Sequence, residues 1–428
     1  MLFDQTLTYI SLFSGAGVGC YGLLEEGFEC VATNEILEKR LNIQRINRKC
    51  KLDESYISGD IKKPETKEKI LKQIGFYSKK FGNDRVDLVI ATPPCQGMSV
   101  ANHKKKNDEI KRNSLVVESI DLIKQIKPRF FILENVPSFY KTGCIDKNDN
   151  LLEIGSMIEQ NLSGDYMLYD EVINFKNFGA NSSRTRTLVI GVCKEFKDFT
   201  SALEFFPDFK QEKTLKEVIG SLKPLAWGEY DSADFYHSFR TYPKHMQEWI
   251  KDLKEGQSAF ENVQDAISDL AYLCSNEGAF ESDYLNPIQS SYQALMRKDS
   301  PKLYNHQATN HSQAALEKLK LINKEQGKEC LPKNLHGKQQ FKSTWGRLNW
   351  NKISPTIDTR FDTPSNGTNS HPELHRSITP REAARIQSFS DNYIFYGNKT
   401  SVCKQIGNAV PPLLALALGK AILKSLRK

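Results

Sequence analysis

Four side chains in the sequence have the chemistry for covalent catalysis. Cys95 lies in the stretch IATPPCQGMS, directly behind two prolines that follow an apolar run. Prolines fix the backbone and remove hydrogen-bond donors, so this stretch is interpreted as the rigid exit from a strand. Glu134 follows another apolar run, and Arg184 and Arg186 open a late one. If they converge, they provide a nucleophilic thiol with an acid and two cations beside it.

Such a set of groups suits methylation at carbon 5 of a cytosine ring. Carbon 5 is a poor nucleophile until a thiolate adds to carbon 6 and makes it enamine-like. A carboxylic acid that hydrogen-bonds or protonates ring nitrogen 3 stabilises the charge that builds there. An arginine can hold the exocyclic oxygen and lower the pKa of the thiol. Removal of the carbon-5 proton and elimination then release the cysteine.

A glycine-rich loop and two acids predict a nucleoside site beside these groups. The loop LFSGAGVGCYG follows the first apolar run, and the pattern GxGxxG is matched by Gly17, Gly19 and Gly22. Glycines after a strand let a ligand approach the backbone. Glu35 ends the second apolar run, at the position where an acid reaches the ribose hydroxyls in nucleotide-binding sheets. Asp60 in SGDI is placed either to meet an adenine amine or to form a turn. These features do not separate NAD from S-adenosylmethionine.

Alternating strands and helices must position these groups. Apolar runs predict strands at residues 8–13, 29–35, 87–94, 128–136 and 186–193. Helical patterns at 21–27 and 116–126 separate them and indicate βαβ units. The predicted fold is therefore α/β, with a doubly wound, mostly parallel sheet and a second, smaller, irregular domain. Ligands of such sheets bind past the carboxyl ends of the strands, so the thiol and the carboxyl group should share one rim.

The end of the chain adds two predicted helices. Residues 379–389 should form a capped helix, with Thr379 as the N-cap and Glu382 three residues later. Arg381 and Arg385 on this helix are expected to make structural ion pairs. Residues 410–426 form a helix too apolar to stand alone, so we expect it to pack on the sheet of the first domain.

Composition limits the classes of protein and site. The 428 residues carry a net charge of +7, which permits a polyanionic partner without demanding one. The nine cysteines are scattered and form no CxxC pair, so we predict no disulfide framework, no metal site and a reduced, cytoplasmic compartment. We find no signal peptide and no apolar run of about 18 residues, and expect no membrane association.

Eight motifs, in order, resemble the DNA cytosine-5 methyltransferase family of bacterial restriction–modification systems. They are FSGAG (13–17), NE (34–35), GDI (59–61), PPCQGMS (93–99), ENV (134–136), RTR (184–186), SITPREAARIQSF (377–389) and QIGNAVPP (405–412). The resemblance covers nearly the whole chain. It implies the S-adenosylmethionine-dependent methyltransferase fold and transfer of a methyl group to a flipped-out cytosine in a specific double-stranded DNA sequence, leaving S-adenosylhomocysteine.

The resemblance also implies roles for individual residues. Cys95 would be the nucleophile, Glu134 the acid near ring nitrogen 3, and Arg184 and Arg186 the arginines that steady the base and the nucleophile loop. The cofactor contacts that it implies are Phe13, Gly15, Ala16, Gly17, Glu35, Ile36, Asp60, Ile61, Pro94 and Asn408.

Two positions depart from the family pattern. Ser11 stands where members usually carry Asp, so we expect the cofactor contacts there to be weaker or mediated by water. Ser182 stands where members often carry Gln, two residues before the first arginine of the RTR motif.

DNA contacts are expected in two regions. The polar loop after the cysteine contributes Gln96, Ser99, Lys104 and Lys105. A target-recognition region at about 228–345 offers side chains that read base edges, namely Arg297, Lys298, Lys338 and Gln339, although a surface role is the alternative for each. His306 and His311 in that region are interpreted as structural or phosphate-facing. The predicted domains are 1–200 plus 390–428 for catalysis and cofactor, and 201–389 for the small domain.

Four other functions compete with this one. A tRNA cytosine-5 methyltransferase uses the same chemistry but lacks a long recognition region. An amino-methyltransferase needs no thiol after Pro-Pro, and an NAD-dependent enzyme leaves Cys95, Glu134 and Arg184 unexplained. An inactive DNA-binding relative would be expected to have lost one of those three residues. We therefore expect a DNA-modifying enzyme, monomeric, that protects host DNA from a cognate restriction endonuclease encoded nearby.

Overall fold

The computed structural model describes residues 6–82, 85–94, 113–196, 208, 210–226, 305–324, 326–336, 343–391 and 393–426. Nine of the residues predicted for catalysis or DNA contact lie outside this described part of the chain, namely Cys95, Gln96, Ser99, Lys104, Lys105, Arg297, Lys298, Lys338 and Gln339.

A seven-stranded sheet forms the centre of the fold. Its strands are β1 (Thr8–Leu12), β2 (Glu29–Glu35), β3 (Tyr56–Ser58), β4 (Leu88–Ala91), β5 (Phe130–Asn135), β8 (Tyr166–Asn174) and β9 (Thr185–Cys193). The strand order is β3-β2-β1-β4-β5-β9-β8, and β1 to β5 run parallel. Only β9 is antiparallel to both of its neighbours among these strands. The predicted mostly parallel, doubly wound sheet is confirmed.

Helices cover both faces of this sheet and form much of the rest of the described chain. They are α1 (Tyr21–Glu25), α2 (Glu38–Ile46), α3 (Pro64–Phe81), α4 (Leu115–Ile126), α5 (Ile154–Leu162), α6 (Leu215–Ile219), α7 (Gln313–Leu321), α8 (Pro380–Ile386), α9 (Lys399–Gly407) and α10 (Pro412–Leu426). A small hairpin pairs β6 (Gly143–Ile145) with β7 (Leu151–Glu153). The predicted capping box of α8 is present, with Thr379 and Glu382 bonded reciprocally.

The two faces of the sheet bury two separate hydrophobic cores. Alternation along β4 and β5 sends Val89 and Phe131 to one face and Leu88 and Phe130 to the other. The first face packs against α3, α4 and α5, and the second against α1 and α10. The predicted packing of the apolar C-terminal helix on the sheet is therefore confirmed. Continuous apolar strands are what a sheet covered on both faces requires.

The C-terminal helices also meet the compositional test for a membrane span. The segment Lys399–Leu426 is apolar enough, with a mean hydropathy of 1.6 in its most apolar window, but 72% of that window is buried inside the protein.

Glycine makes the packing of α10 possible, because a Cβ at Gly22 in α1 would lie 2.1 Å from the Pro412 carbonyl oxygen and 2.4 Å from Leu416 N.

A third core joins the later part of the chain to the glycine-rich loop. It contains apolar residues of α6, α8 and α9 together with Ala16 of the loop and Ile43 of α2. Phe389 and Val402 belong to the same core, on opposite sides of the predicted boundary at residue 390. The division into two domains stays a prediction.

Candidate active site

The glycine-rich loop leaves β1 at the carboxyl edge of the sheet in a conformation that suits glycine. Phe13, Gly15 and Gly17 have positive φ angles of 54°, 55° and 84°. Gly17 N donates to the Ser14 carbonyl oxygen at 2.8 Å, which closes a tight turn. Among the described atoms, nothing lies within 4 Å of a Cβ built on Gly15, whereas one on Gly17 would collide with Gln44 Cγ at 2.5 Å. The loop is therefore packed behind Gly17 and open at Gly15.

Glu35 is fixed at the end of β2 by the loop that it faces. Gly15 N donates to Glu35 Oε2 at 2.9 Å, and Leu37 N donates to Oε1 at 3.2 Å. Arg40 lies 3.4 Å from the same carboxylate, which is 5% exposed. The next side chain, Ile36, is 60% exposed at the rim. A buried, oriented carboxylate beside an open backbone and an exposed apolar side chain fits a nucleoside with its ribose and base.

Asp60 follows β3 on the same rim. Asn34 Nδ2 donates to the Gly59 carbonyl oxygen at 3.2 Å and so ties the end of β2 to this turn. Asp60 Oδ1 accepts from Lys62 N at 3.0 Å, which is the turn geometry expected of an aspartate there. Ile61 is buried. Asp60 therefore forms the turn that was one of its two predicted roles, and its contact with an adenine amine stays a prediction.

The prolines after β4 are held by both neighbouring segments. Thr92 Oγ1 donates to the Phe13 carbonyl oxygen at 3.1 Å, and Asn135 Nδ2 donates to the Pro93 carbonyl oxygen at 2.9 Å. Pro94 is exposed and is the last described residue before the predicted nucleophile. A chain with fixed φ and two side-chain anchors has little freedom, so the segment up to Pro94 is rigid.

Glu134 ends β5 as a buried carboxyl group beside two arginines. Its Oε1 atom lies 3.4 Å from Arg186 Nε and accepts no hydrogen bond from the described residues. Burial raises the pKa of Glu134 above its ordinary value, although Arg186 and then Arg184 act to lower it. The structure therefore brings together three of the four predicted catalytic residues. A carboxyl group with a raised pKa can hold a proton and donate it.

Arg184 connects this cluster to the far end of the chain. Its Nη1 atom donates to the Gly407 carbonyl oxygen at 3.2 Å. Gly407 is required there, because an added Cβ would lie 2.3 Å from the Asp358 carbonyl oxygen. Asn408 follows as the exposed C-cap of α9, with its N–H donating to Lys404 O at 3.2 Å. Arg184 thus connects Glu134 and Arg186 to the segment that carries Asn408, the residue implied to contact the cofactor.

The remaining polar residues singled out in the sequence have structural partners. His306 contacts a hydroxyl and a backbone carbonyl at 3.0 and 2.7 Å, and His311 accepts a backbone N–H at 3.0 Å. Arg385 pairs with Asp391 at 2.6 Å, and Arg381 lies 3.9 Å from the same carboxylate, as predicted. Within the described residues, no group of three His, Cys, Asp or Glu side chains is arranged to hold a metal ion.

The match to known proteins extends over almost the entire chain. The family described as C-5 cytosine-specific DNA methylase matches residues 7–424. The chain belongs to this family. The type II methyltransferase M.DdeI of Desulfomicrobium norvegicum is 30% identical over 79% of this chain and 72% of the relative. The type II methyltransferase M1.HphI of Haemophilus parahaemolyticus is 26% identical over 99% of this chain and 88% of the relative.

The fold of this methylase is also found among solved structures. A prophage-encoded E. coli protein described as a DNA modification methyltransferase superposes with a TM-score of 0.62, at 24% identity, over 99% of this chain and 100% of that one. Family and relatives together make the chain a DNA cytosine-5 methyltransferase.

Both positions that depart from the family pattern are buried in this methylase. Ser11 is buried in β1, and its hydroxyl lies 3.3 Å from Cys20 Sγ, within the core. Ser182 is fully buried and bridges to Ser354 through the backbone, where Ser183 N donates to Ser354 O at 2.9 Å. Backbone pairing thus holds the segment that leads into the two arginines.

Sequence reasoning missed the polar residues that support the glycine-rich loop. Gln44 in α2 contacts Ser14 and Gly15, and it is joined through Thr33 to Lys49. Lys49 also lines a cavity of about 750 Å³ that none of the implied cofactor residues lines. These contacts join residues that lie far apart in the chain, and no local pattern in the sequence signals them.

Proposed function

We propose that this methylase transfers a methyl group from S-adenosylmethionine to carbon 5 of a flipped-out cytosine in a specific double-stranded DNA sequence, through a covalent adduct between Cys95 and carbon 6. One observation carries the proposal. A buried Glu134 with a raised pKa lies 3.4 Å from Arg186, on the strand next to the rigid proline exit that precedes Cys95. Acid, cation and thiol are the groups that addition to a cytosine ring needs.

The residues at the rim suit the cofactor. Phe13, Gly15, Ala16 and Gly17 supply the loop backbone, and Glu35 supplies a carboxylate for the ribose hydroxyls. Ile36, Asp60, Ile61 and Pro94 would surround the adenine, and Asn408 would approach from the C-terminal segment. When bound, S-adenosylmethionine supplies an electrophilic methyl group. The support for this assignment is the open backbone at Gly15 and the buried, oriented carboxylate of Glu35.

The protein's own groups account for activation of the base. Protonated Glu134 donates to ring nitrogen 3, so the electron density pushed into the ring by the Cys95 thiolate is stabilised as carbon 6 is attacked. Arg186 and Arg184 keep the carboxyl group oriented and stabilise negative charge nearby. A duplex hides carbon 6, so the cytosine must leave the helix for the attack to occur. Gln96, Ser99, Lys104 and Lys105 are assigned to the DNA beside the flipped base.

We further propose a role in restriction–modification. The relatives from Desulfomicrobium norvegicum and Haemophilus parahaemolyticus are both named type II methyltransferases, which supports modification of a short target sequence in cytoplasmic DNA. In this role the enzyme acts as a monomer and protects host DNA from a cognate endonuclease. Target reading is assigned to the region at about 228–345, including Arg297, Lys298, Lys338 and Gln339.

The decisive experiment methylates DNA of mixed sequence with S-adenosylmethionine and reads the product by bisulfite sequencing. The proposal predicts protected cytosines within one recurring sequence. Cys95→Ser and Cys95→Ala should abolish transfer and keep cofactor binding, while the matched control Cys330→Ser, at a half-buried cysteine bonded to Gln326, should stay active. Transfer by either Cys95 variant at a rate near wild type would exclude the covalent mechanism, and unmodified DNA with wild-type enzyme would favour an inactive DNA-binding relative.

A further inference from the structure

A chain of buried hydrogen bonds runs from Lys49 to the glycine-rich loop. Lys49 Nζ donates to Thr33 Oγ1 at 3.0 Å, and Thr33 Oγ1 donates to Gln44 Oε1 at 2.7 Å. Gln44 Nε2 then donates both to Ser14 Oγ at 2.7 Å and to the Gly15 carbonyl oxygen at 2.7 Å. Thr33 and Gln44 are fully buried and Lys49 is 3% exposed.

The direction of this chain is fixed by its two ends. A lysine ammonium only donates and the Gly15 carbonyl oxygen only accepts, so Thr33 and Gln44 each have one consistent orientation. All donors therefore point toward the loop, and aligned hydrogen bonds strengthen one another in a buried environment. Ser14 Oγ continues the series by donating to the Asn34 carbonyl oxygen at 3.0 Å.

The chain determines the orientation of one peptide group in the loop. Gln44 holds the Gly15 carbonyl, and because the peptide is trans, the N–H of Ala16 must point to the opposite side. The preceding peptide is held by Gly15 N, which donates to Glu35 Oε2 at 2.9 Å. Gly15 adopts a φ of +55°, and because glycine has no side chain, its backbone is less restrained than that of any other residue. The amide of Gln44 supplies that restraint instead.

We infer that Gln44, oriented by Thr33 and Lys49, is a positioning residue that keeps the glycine-rich loop and Glu35 ready for S-adenosylmethionine. The inference rests on the proposed function, because it takes this rim as the cofactor site. Gln44 acts through the loop backbone and contacts no reacting atom. Its loss should therefore weaken cofactor binding and leave the rate of the chemical step at saturating cofactor nearly unchanged.

Two substitutions interrupt the chain at different points. Thr33→Val removes the hydroxyl that joins Lys49 to Gln44, and Gln44→Met removes both hydrogen bonds to the loop at similar volume. Thr33→Ser keeps the hydroxyl and serves as the conservative rescue. Ile158→Val, in α5 on the other side of the fold, is a core truncation that lowers stability without touching the loop.

The test measures the dissociation constant of S-adenosylhomocysteine by calorimetry, together with the KM for S-adenosylmethionine and kcat. Thr33→Val and Gln44→Met should each raise the dissociation constant and KM about tenfold, the scale of losing one or two buried hydrogen bonds, with kcat within about twofold of wild type. Thr33→Ser and Ile158→Val should bind like wild type. Thermal unfolding of the free proteins shows which variants fold, and if one of the two does not, the other carries the test.

The outcomes separate this inference from the proposed function. If the wild type binds S-adenosylhomocysteine and the folded Thr33→Val and Gln44→Met variants bind it equally well, this inference is overturned and the proposed function is not. An equal fall in kcat and rise in KM, or weakened binding by Ile158→Val, would also overturn it, because the effect would then be general. Failure of the wild type to bind S-adenosylhomocysteine would overturn the proposed cofactor site and the inference with it.

Discussion

Replacing Glu382 by glutamine should lower the free energy of unfolding by about 3 kcal/mol at neutral pH. Glu382 forms a two-bonded ion pair with Arg376, in which Nη1 donates to Oε2 and Nη2 to Oε1, both at 2.8 Å. The two side chains are 3% and 0% exposed. Glutamine would keep the volume and one acceptor, but its amide N–H groups would face the guanidinium. The charge of Arg376 would then be buried without a counter-ion, which costs about 3–5 kcal/mol in comparable cases.

The pKa of Glu382 gives the same magnitude by a separate route. Burial alone would raise this pKa, but the Arg376 guanidinium lowers it from 4.5 to about 2. A carboxyl group with a lowered pKa stabilises the fold above its unfolded pKa, and this stability is lost as the pH falls through the folded value. The lowered pKa corresponds to roughly 3 kcal/mol of stability at pH 7, of which about 1 kcal/mol should remain at pH 3.

Urea unfolding of wild type and Glu382→Gln between pH 7 and pH 3 tests this reasoning. The difference in free energy between the two proteins should narrow toward acid pH. His371 lies 4.0 Å from Glu382 and has a pKa lowered to about 4, chiefly by burial, while Glu382 acts to raise it. The substitution therefore also lowers the pKa of His371, which should make the narrowing smaller without abolishing it. Glu373→Gln is the matched control, since its pair with Lys324 is exposed and should contribute little. A difference that is constant with pH, or equal to that of the control, would refute the assigned role of the charge.

Three further predictions concern Glu134, Gly22 and Asn135. Glu134→Gln should slow single-turnover methyl transfer about 10²–10⁴-fold. The wild-type rate is expected to fall at alkaline pH as the carboxyl group, with its raised pKa, loses the proton, and the variant should lack this fall. An identical pH profile in both proteins would exclude Glu134 as the acid. Gly22→Ala should cost about 1–3 kcal/mol in urea unfolding because its Cβ would collide with the backbone of α10, whereas Gly75→Ala, with open space around it, should not destabilise α3. Asn135→Ala should release the Pro93 carbonyl and lower the single-turnover rate by about tenfold, while the dissociation constant of the cofactor stays unchanged. Weakened cofactor binding would contradict the interpretation that Asn135 acts only by holding the segment before Cys95.

The strands that could be predicted from the sequence are those that are buried along nearly their whole length. β2, β5 and β9 match the predicted runs closely because both faces of the sheet are covered. The prediction for 87–94 extends past β4, since Pro93 and Pro94 cannot continue the ladder. β8 was missed because it is an edge strand with an exposed stretch, Asp170–Val172, that breaks the apolar pattern. The antiparallel direction of β9 depends on pairing with this edge and is not encoded in its own residues.

Within the site, spacing predicted the residues that follow strands but not those that hold them. Glu35 and Glu134 could be placed because each ends an apolar run, and the ends of parallel strands meet on one rim. Gln44 lies inside α2, where nothing distinguishes it from an exposed helical glutamine. Its contact with Gly15 spans 29 residues, so only the fold reveals it.

Contacts between distant parts of the chain connect the C-terminal segment to the candidate active site. Tyr393 Oη donates to the Ala16 carbonyl oxygen at 2.6 Å across 377 residues, and Arg184 reaches Gly407 across 223. The first contact fixes one side of the glycine-rich loop, whose other side is held by Gln44. The second ties the arginine cluster to the residue before Asn408. The C-terminal segment therefore braces both the glycine-rich loop and the arginine beside Glu134, so loss of either contact should disturb the alignment of the two.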